Sequence, residues 1–183
     1  DWWSKHAYGK HVYIGHGIYR AGTNKAWSNK SEIPNQLNLL HQYTTIQGSV
    51  YFNTRSFITN ASAWKDSLQY NQYKYQALIP AMPWIDSIIP PKPQVQVVTK
   101  GDSCLLTITQ PVNSECIRKI VVYAFNTLDE KSNHQNPKYI YKIIHAEGNT
   151  TQISISEEVY KKFKLAVTVL DYGNNESKLQ YVR

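Results

Sequence analysis

The chain of 183 residues carries 20 Lys/Arg against 13 Asp/Glu, a formal net charge of +7, and is 42% hydrophobic with 14 Tyr, 5 Trp and 4 Phe. No apolar run approaches the ~20 residues that a membrane-spanning helix needs, and two cysteines are too few for a disulfide scaffold or a zinc site. The charge is also not gathered into a stripe. Residues 1–89 hold eight Lys/Arg to four Asp/Glu (+4), and residues 90–183 hold twelve to nine (+3), a spread that argues against nucleic acid as a partner.

At the start, Trp2, Trp3, Ala7 and Tyr8 recur at helical spacing, with Gly9 placed to end the helix. The chain opens on Asp1-Trp2-Trp3, without Met, and this is expected to be a piece of a longer protein. His11 to Arg20 then begins as a strand: Val12, Ile14 and Ile18 are β-branched, and Tyr13 and Tyr19 are aromatic. Gly15 and Gly17 leave room for a bulge or a close backbone approach. His16, Tyr19 and Arg20 gather at the strand's exit. A polar loop with Trp27 follows, where Trp27 reads equally as a sugar platform or as a residue that packs the loop down. Ser31 suits an N-cap, Glu32 and Pro34 suit a first helical turn, and Ile33, Leu37, Leu40 and Tyr43 form an inward stripe. Gly48 to Arg55 repeats the design of the first strand, apolar at its start and polar at its end. Strand, helix, strand with polar exits is the pattern of a parallel α/β sheet, which binds ligands at the carboxyl ends of its strands.

Asn60 or Ser62 is expected to open a further helix through Trp64 and Leu68 to about Tyr70. Tyr70, Tyr73 and Tyr75 lead to a segment in which Pro80 and Pro83 exclude a central helix or strand. Pro90-Pro91-Lys92-Pro93 reads as a stiff spacer. Beyond it come about seven short strands, around Val95–Val98, Leu105–Thr109, Ile117–Phe125, Lys138–His145, Gln152–Ile155, Lys164–Leu170 and Leu179–Val182. That number in roughly 90 residues predicts a β-sandwich. Lys161-Lys162-x-Lys164 reads as a solvated turn and strand edge. Cys104 and Cys116 fit a disulfide in an exported protein or two buried thiols equally well.

Phe163 to Ser177, an aromatic followed by alternating apolar residues and then Asp171-Tyr172-Gly173-Asn174-Asn175-Glu176-Ser177, resembles the end of a fibronectin type III module. Such modules carry a Trp on the second strand; Leu105 or Leu106 stands in its place. The first 89 residues resemble the end of a glycoside-hydrolase-like (β/α)8 barrel, the family-10-like domain of unknown function found in exported bacterial proteins. The residues that carry this are Tyr13 to Arg20, Glu32-Ile33-Pro34-Asn35-Gln36, Gly48 to Asn53, and Tyr75-Gln76-Ala77-Leu78-Ile79-Pro80-Ala81-Met82-Pro83-Trp84. The resemblance implies that the two strands are the seventh and eighth of a barrel whose first six lie outside the chain.

The fold class expected is therefore α/β plus all-β. Residues 1–89 form the last strands and helices of a barrel, residues 90–93 a Pro-rich linker, and residues 94–183 an Ig-like or fibronectin-like sandwich. Glycoside hydrolysis needs two carboxyl groups flanking the scissile bond. Residues 1–89 contain only Asp1, Glu32, Asp66 and Asp86, and Glu32 is better explained as a favourable charge at a helix N-terminus. The fragment is thus expected to be inactive alone, with its catalytic residues outside it. The substrate-binding candidates are His16, Tyr19, Arg20, Trp27, Tyr51, Asn53 and Arg55. Aromatic rings stack on sugar faces, and Arg20 or Arg55 suits a carboxylate such as that of a uronic or muramic acid, or else a structural ion pair. His16 fits a base, a ligand to sugar hydroxyls or, more often for a lone His, a structural role. The histidine spacing compels no metal, and no cofactor is expected.

Two functions follow. One is the carboxyl-terminal region of an exported glycoside hydrolase, periplasmic or at the cell surface, with a lipoprotein anchor in the full-length form. The other is a non-enzymatic carbohydrate-binding or surface-interaction protein. Two strands and their helices cannot close a barrel, so a homo-oligomer is expected to cover the open edges.

Overall fold

A computed structural model describes residues 1–59, 64–110, 117–126 and 134–182. The chain divides into two compact units, Asp1–Tyr75 and Gln76–Arg183.

The first unit opens on a short helix, α1 (Trp2–Lys5). It ends before the Ala7–Tyr8 stretch expected to continue it: His6 already leaves helical angles, and Tyr8 and Gly9 beyond it both take positive φ, which a right-handed helix does not accommodate. Strand β1 (Val12–His16) follows, then 3₁₀ turns at Ile18–Arg20 and Lys25–Trp27. Helix α2 (Glu32–Leu40) leads to strand β2 (Ile46–Tyr51). The two strands pair in parallel, with Tyr13 opposite Gly48, Gly15 opposite Val50 and His16 opposite Tyr51, and with a bulge between Val12 and Tyr13. Two short helices come next, α3 (Thr54–Thr59) and α4 (Trp64–Ser67), the latter running into a π-helical turn at Leu68–Gln72. The sequence reading missed α3. It placed the start of the following helix at Asn60 or Ser62, which lie outside the described residues.

Side chains alternate between the faces of a strand. One face of the β1–β2 sheet carries Val12, Ile14, His16, Ser49 and Tyr51, and α2 covers it through Ile33 and Leu37, spaced i and i+4. These two meet Ile18, Trp64 and Leu68, with Trp27, Tyr51 and Phe57 at the margin. The other face carries Tyr13, Gly15, Gly48 and Val50; Tyr13 is 46% exposed and Val50 56%. Ser31 does not cap α2 with its side chain. Its backbone already has near-helical angles, and Asn29 Oδ1 accepts the Ser31 N–H instead, at 3.0 Å. Close neighbours are found at Gly48, where a Cβ would stand 2.9 Å from the Tyr13 ring, and at Gly17, where it would stand 3.3 Å from the Tyr19 ring, while Gly15 has open space beside it.

The second unit is built of antiparallel strands. One sheet contains β3 (Gln94–Lys100), β4 (Ser103–Thr109) and β7 (Thr150–Ser156) in that order. The other runs β6 (Ile140–His145), β5 (Lys119–Asn126), β8 (Phe163–Leu170) and β9 (Gln180–Tyr181). Leu106 and Ile108 of β4 and Ile153 and Ile155 of β7 share one core with Ile120, Val122, Leu165, Val167 and Val169 of the second sheet. Leu106, fully buried, is the residue of the Leu105–Leu106 pair that fills the core. The reverse face of the second sheet is also buried, through Val121, Tyr123, Phe125, Ala166 and Leu170. Between β7 and β8 lies helix α5 (Glu157–Lys162), capped by Ser156. It replaces the solvated turn expected at Lys161–Lys162; Lys161 pairs with Glu157 at 3.0 Å. Cys104 is a buried free thiol, and Cys116 lies outside the described residues.

Residues 76–93 were expected to divide between a barrel and a linker. They pack instead within the second unit. Leu78 joins the reverse-face cluster, Met82 N–H donates to Gly173 O at 2.8 Å, and Asn175 Nδ2 donates to Asp86 O at 3.1 Å. The loop that receives them is set by Asp171, whose carboxylate accepts the Asn175 N–H at 2.8 Å and its Nδ2 at 2.9 Å. Asn174 takes φ +59° there, a left-handed turn that Asn tolerates better than most residues. The Pro-rich stretch has no regular secondary structure, and the packing boundary falls earlier, after Tyr75.

Candidate functional site

The carboxyl ends of β1 and β2 carry two different arrangements, one under the sheet and one open to solvent. His16 belongs to the first. It is 3% exposed and sits on the helix-covered face. Its Nδ1 lies 3.0 Å from Gln36 Oε1, and its Nε2 lies 3.0 Å from Ser49 Oγ. Gln36 Nε2 donates to Glu32 Oε1 at 2.8 Å. A carboxylate only accepts, so this contact fixes the Gln36 amide with its oxygen toward the imidazole. The imidazole therefore donates from Nδ1, and its Nε2 is hydrogen-bonded to the Ser49 hydroxyl. Both ring nitrogens are engaged and the ring stacks on Tyr51 at 5.4 Å, so His16 ties β1 to α2 and β2.

Tyr51 extends this network. Its hydroxyl is hydrogen-bonded to that of Tyr73. Burial raises the Tyr51 pKa well above the ordinary tyrosine value, and the bond to Tyr73 raises it further. Tyr51 is thus a neutral structural phenol at physiological pH. Sequence reasoning missed Gln36, Ser49 and Tyr73 as partners, and it explained Glu32 by the helix N-terminus alone. The i, i+4 spacing of Glu32 and Gln36 was the signal that links them.

The open arrangement is an accessible depression of about 380 Å³ lined by Gly15, His16, Gly17, Tyr19, Arg20, Trp27 and Phe52. The 3₁₀ turn at Ile18–Arg20 forms because Ile18, fully buried, anchors it to the core; that turns Tyr19 and Arg20 outward. Asn24 shapes the next turn, its side chain accepting the N–H groups of Ala26 and Trp27 at 3.0 and 3.2 Å. Trp27 packs on the core and also walls the depression, so both of its expected roles meet in one side chain. The Arg20 guanidinium lies 5.7 Å from the Tyr19 ring centroid and 5.9 Å from that of Trp27. Its Nε makes a long contact of 3.4 Å to the Tyr19 hydroxyl. Among the described residues Arg20 has no carboxylate partner; the ion pairs found are Lys5–Asp1 and Lys161–Glu157. Phe52 meets Tyr19 edge-on at 6.1 Å.

Of the seven candidates, Tyr19, Arg20 and Trp27 come together around this depression, and His16 also lines it. Asn53 does not line it: its side chain caps α3, accepting the Ser56 N–H at 3.2 Å. That explains an Asn at a strand exit without a ligand. Arg55 is exposed on α3 and is not part of the lining. Phe52 lines it and was not a candidate. A second depression of about 510 Å³ runs along β1 beside Trp3, His6, His11 and Tyr13. Among the described residues no three His, Cys, Asp or Glu side chains are grouped to hold a metal, and no helix is long and apolar enough to cross a membrane.

Over 97% of its length the chain is 30% identical to a protein named glycosyl hydrolase YngK from Bacillus subtilis strain 168. It spans 35% of that relative, about a third of its length. No family model matches the chain. Among solved structures, superoxide reductase from Nanoarchaeum equitans aligns with 52% of this chain and 100% of its own, at 12% identity and a TM-score of 0.35, a likeness too loose to bear on fold or function.

Proposed function

We propose that the chain is the carboxyl-terminal region of an exported glycoside hydrolase acting on a polysaccharide or cell-wall glycan. The similarity to a glycosyl hydrolase across both units is the observation that carries this reading. The first unit would supply the last two strands of a (β/α)8 barrel. In its favour are a parallel strand–helix–strand and an aromatic-walled depression at the carboxyl end of β1, the end where such barrels act. The second unit reads as a fibronectin III-like module. Its support is the three-plus-four antiparallel arrangement and the Asp171–Ser177 loop.

The chain alone is expected to bind glycan without cleaving it. Among the described residues no carboxylate lines the depression: Asp1 pairs with Lys5, Glu32 accepts from Gln36, Asp66 lies on α4 and Asp86 lies in the second unit. That same lack of acids favours a second reading, a non-enzymatic carbohydrate-binding protein. A homo-oligomer that covers the exposed sheet face remains part of the proposal, and a monomer by light scattering over a wide concentration range would remove it.

The test is a glycan array with hydrolysis assays on this chain and on the full-length protein. The hydrolase reading expects cleavage by the full-length protein and binding without cleavage by this chain. Binding by both with cleavage by neither would install the binding-protein reading. Binding by neither would overturn both.

A further inference from the structure

We infer that the depression selects sugars that carry a carboxylate, with Arg20 as the residue that sets this preference. The inference rests on the glycan reading and adds the chemical class of the ligand. Arg20 is a permanent cation held beside two aromatic rings. Its planar guanidinium is exposed, and the N–H groups of such a group match a carboxylate in a two-bond fork. Only a long contact to the Tyr19 hydroxyl occupies it, and no carboxylate of the described residues neutralises it. Hydroxyls of a neutral sugar would satisfy the N–H groups but leave the charge uncompensated. A carboxylate does both. The rings of Trp27 and Phe52 meanwhile offer the apolar wall that a sugar face needs.

Gly15 completes the arrangement and gives an independent handle. It lines the depression, has ordinary strand backbone, and a Cβ built on it meets nothing within 4 Å. A side chain there has room without disturbing the fold, and it would narrow both this depression and the one along β1, which Gly15 also lines. Arg20 is exposed, so replacing it also leaves the core intact.

The experiment is calorimetric titration of the chain with a hexuronate oligosaccharide and a muramic-acid oligosaccharide, each beside its carboxyl-reduced counterpart. At least one carboxylated sugar should bind about tenfold or more tightly than its reduced form, as expected for a charge-assisted bond. Arg20→Gln should abolish that preference, bringing the carboxylated sugar to the affinity of its reduced form, whereas Lys65→Gln should preserve the preference. The preference should shrink as salt rises. Gly15→Val should remove binding of both forms. Equal binding of carboxylated and reduced sugars by the unmodified chain, or a preference that survives in Arg20→Gln, overturns the inference and leaves the glycan reading standing. Binding undiminished in Gly15→Val overturns the assignment to this depression. No binding of any sugar overturns the glycan reading itself. Which of the two carboxylated sugars wins identifies the source of the group.

Discussion

The four-stranded sheet of the second unit and the two-stranded sheet of the first differ in how many faces they bury. The β6-β5-β8-β9 sheet is packed on both sides, and its central strands contain a run of fully buried residues from Ile120 to Tyr123. The β1–β2 sheet packs one face on α2 and leaves Tyr13 and Val50 open on the other. A sheet buried on both faces is committed to stability. A sheet with one free face and polar strand exits keeps surface available, and the depression holding Arg20 and Trp27 lies at the end of that sheet. The contrast is testable residue by residue.

The largest effect should come from the doubly buried unit. Leu106→Ala removes a fully buried side chain from the shared core and should cost about 2–5 kcal/mol. The change should appear in denaturant unfolding of the second unit and leave the first unchanged. Four of the five tryptophans, Trp2, Trp3, Trp27 and Trp64, lie in the first unit, so fluorescence reports mainly on that unit and amide exchange on the other. A loss below about 1 kcal/mol would mean that the core collapses around the gap.

Alkali should act next, and on both units. Tyr123 is fully buried and donates to Glu176 Oε1 at 2.5 Å, an atom that also accepts from Thr168 Oγ1 at 2.6 Å. Burial, then the bond to Glu176 and its charge, raise the Tyr123 pKa far above 10.0. In the unfolded chain the phenol ionises near the ordinary value, about 10. Its contribution to stability is complete below that pH and falls as pH rises toward the raised folded value. The second unit should therefore lose stability above about pH 10, and Tyr123→Phe should flatten that dependence. Tyr51→Phe should do the same for the first unit. Tyrosinate absorbance followed through unfolding checks both; an unchanged alkaline slope in Tyr123→Phe would contradict the assignment.

His16 gives the next smaller effect. His16→Ala leaves Gln36 Oε1 and the Ser49 hydroxyl without their partner, a cost of about 1–3 kcal/mol, seen in the first unit alone. Glycan binding should weaken only in proportion to lost folding. A variant that folds normally but binds nothing would return His16 to the ligand site.

The second unit was largely legible in the sequence because its strands alternate. Cys104, Leu106 and Ile108 point inward from β4, and Ile153 and Ile155 do so from β7. Turn residues mark most ends. The short helices were not legible: α3 and α5 are six residues each, too brief for a periodic signal. The site was half legible. Tyr19, Arg20 and Trp27 stand at a strand exit and in the loop beyond it, where the pattern points to ligands. Asn53 looked equally functional because an Asn disfavours a strand, yet the same feature suits a cap, and the spacing to Ser56 was the overlooked sign. The hydrogen bonds of His16 were not legible because its partners, Gln36 and Ser49, lie 20 and 33 positions away, and no local pattern encodes such a meeting. The packing boundary after Tyr75 was hidden because residues 76–93 are held by scattered contacts, among them the Met82 and Asp86 hydrogen bonds and Leu78, rather than by regular structure.

The smallest expected effect belongs to the open face and bears most directly on the contrast. Val50 is 56% exposed on the face opposite α2. Val50→Thr keeps the β-branched shape that suits a strand and exchanges a methyl for a hydroxyl. In solvent that hydroxyl is satisfied by water, so stability should move by no more than about 0.5 kcal/mol. Were the face covered by a second copy of the chain, the hydroxyl would be buried without a partner and the cost would reach about 1–3 kcal/mol. The loss would then also depend on protein concentration, because association would be linked to folding. Thermal unfolding of Val50→Thr at several concentrations therefore decides whether the first unit keeps this face free for ligand or gives it to another chain.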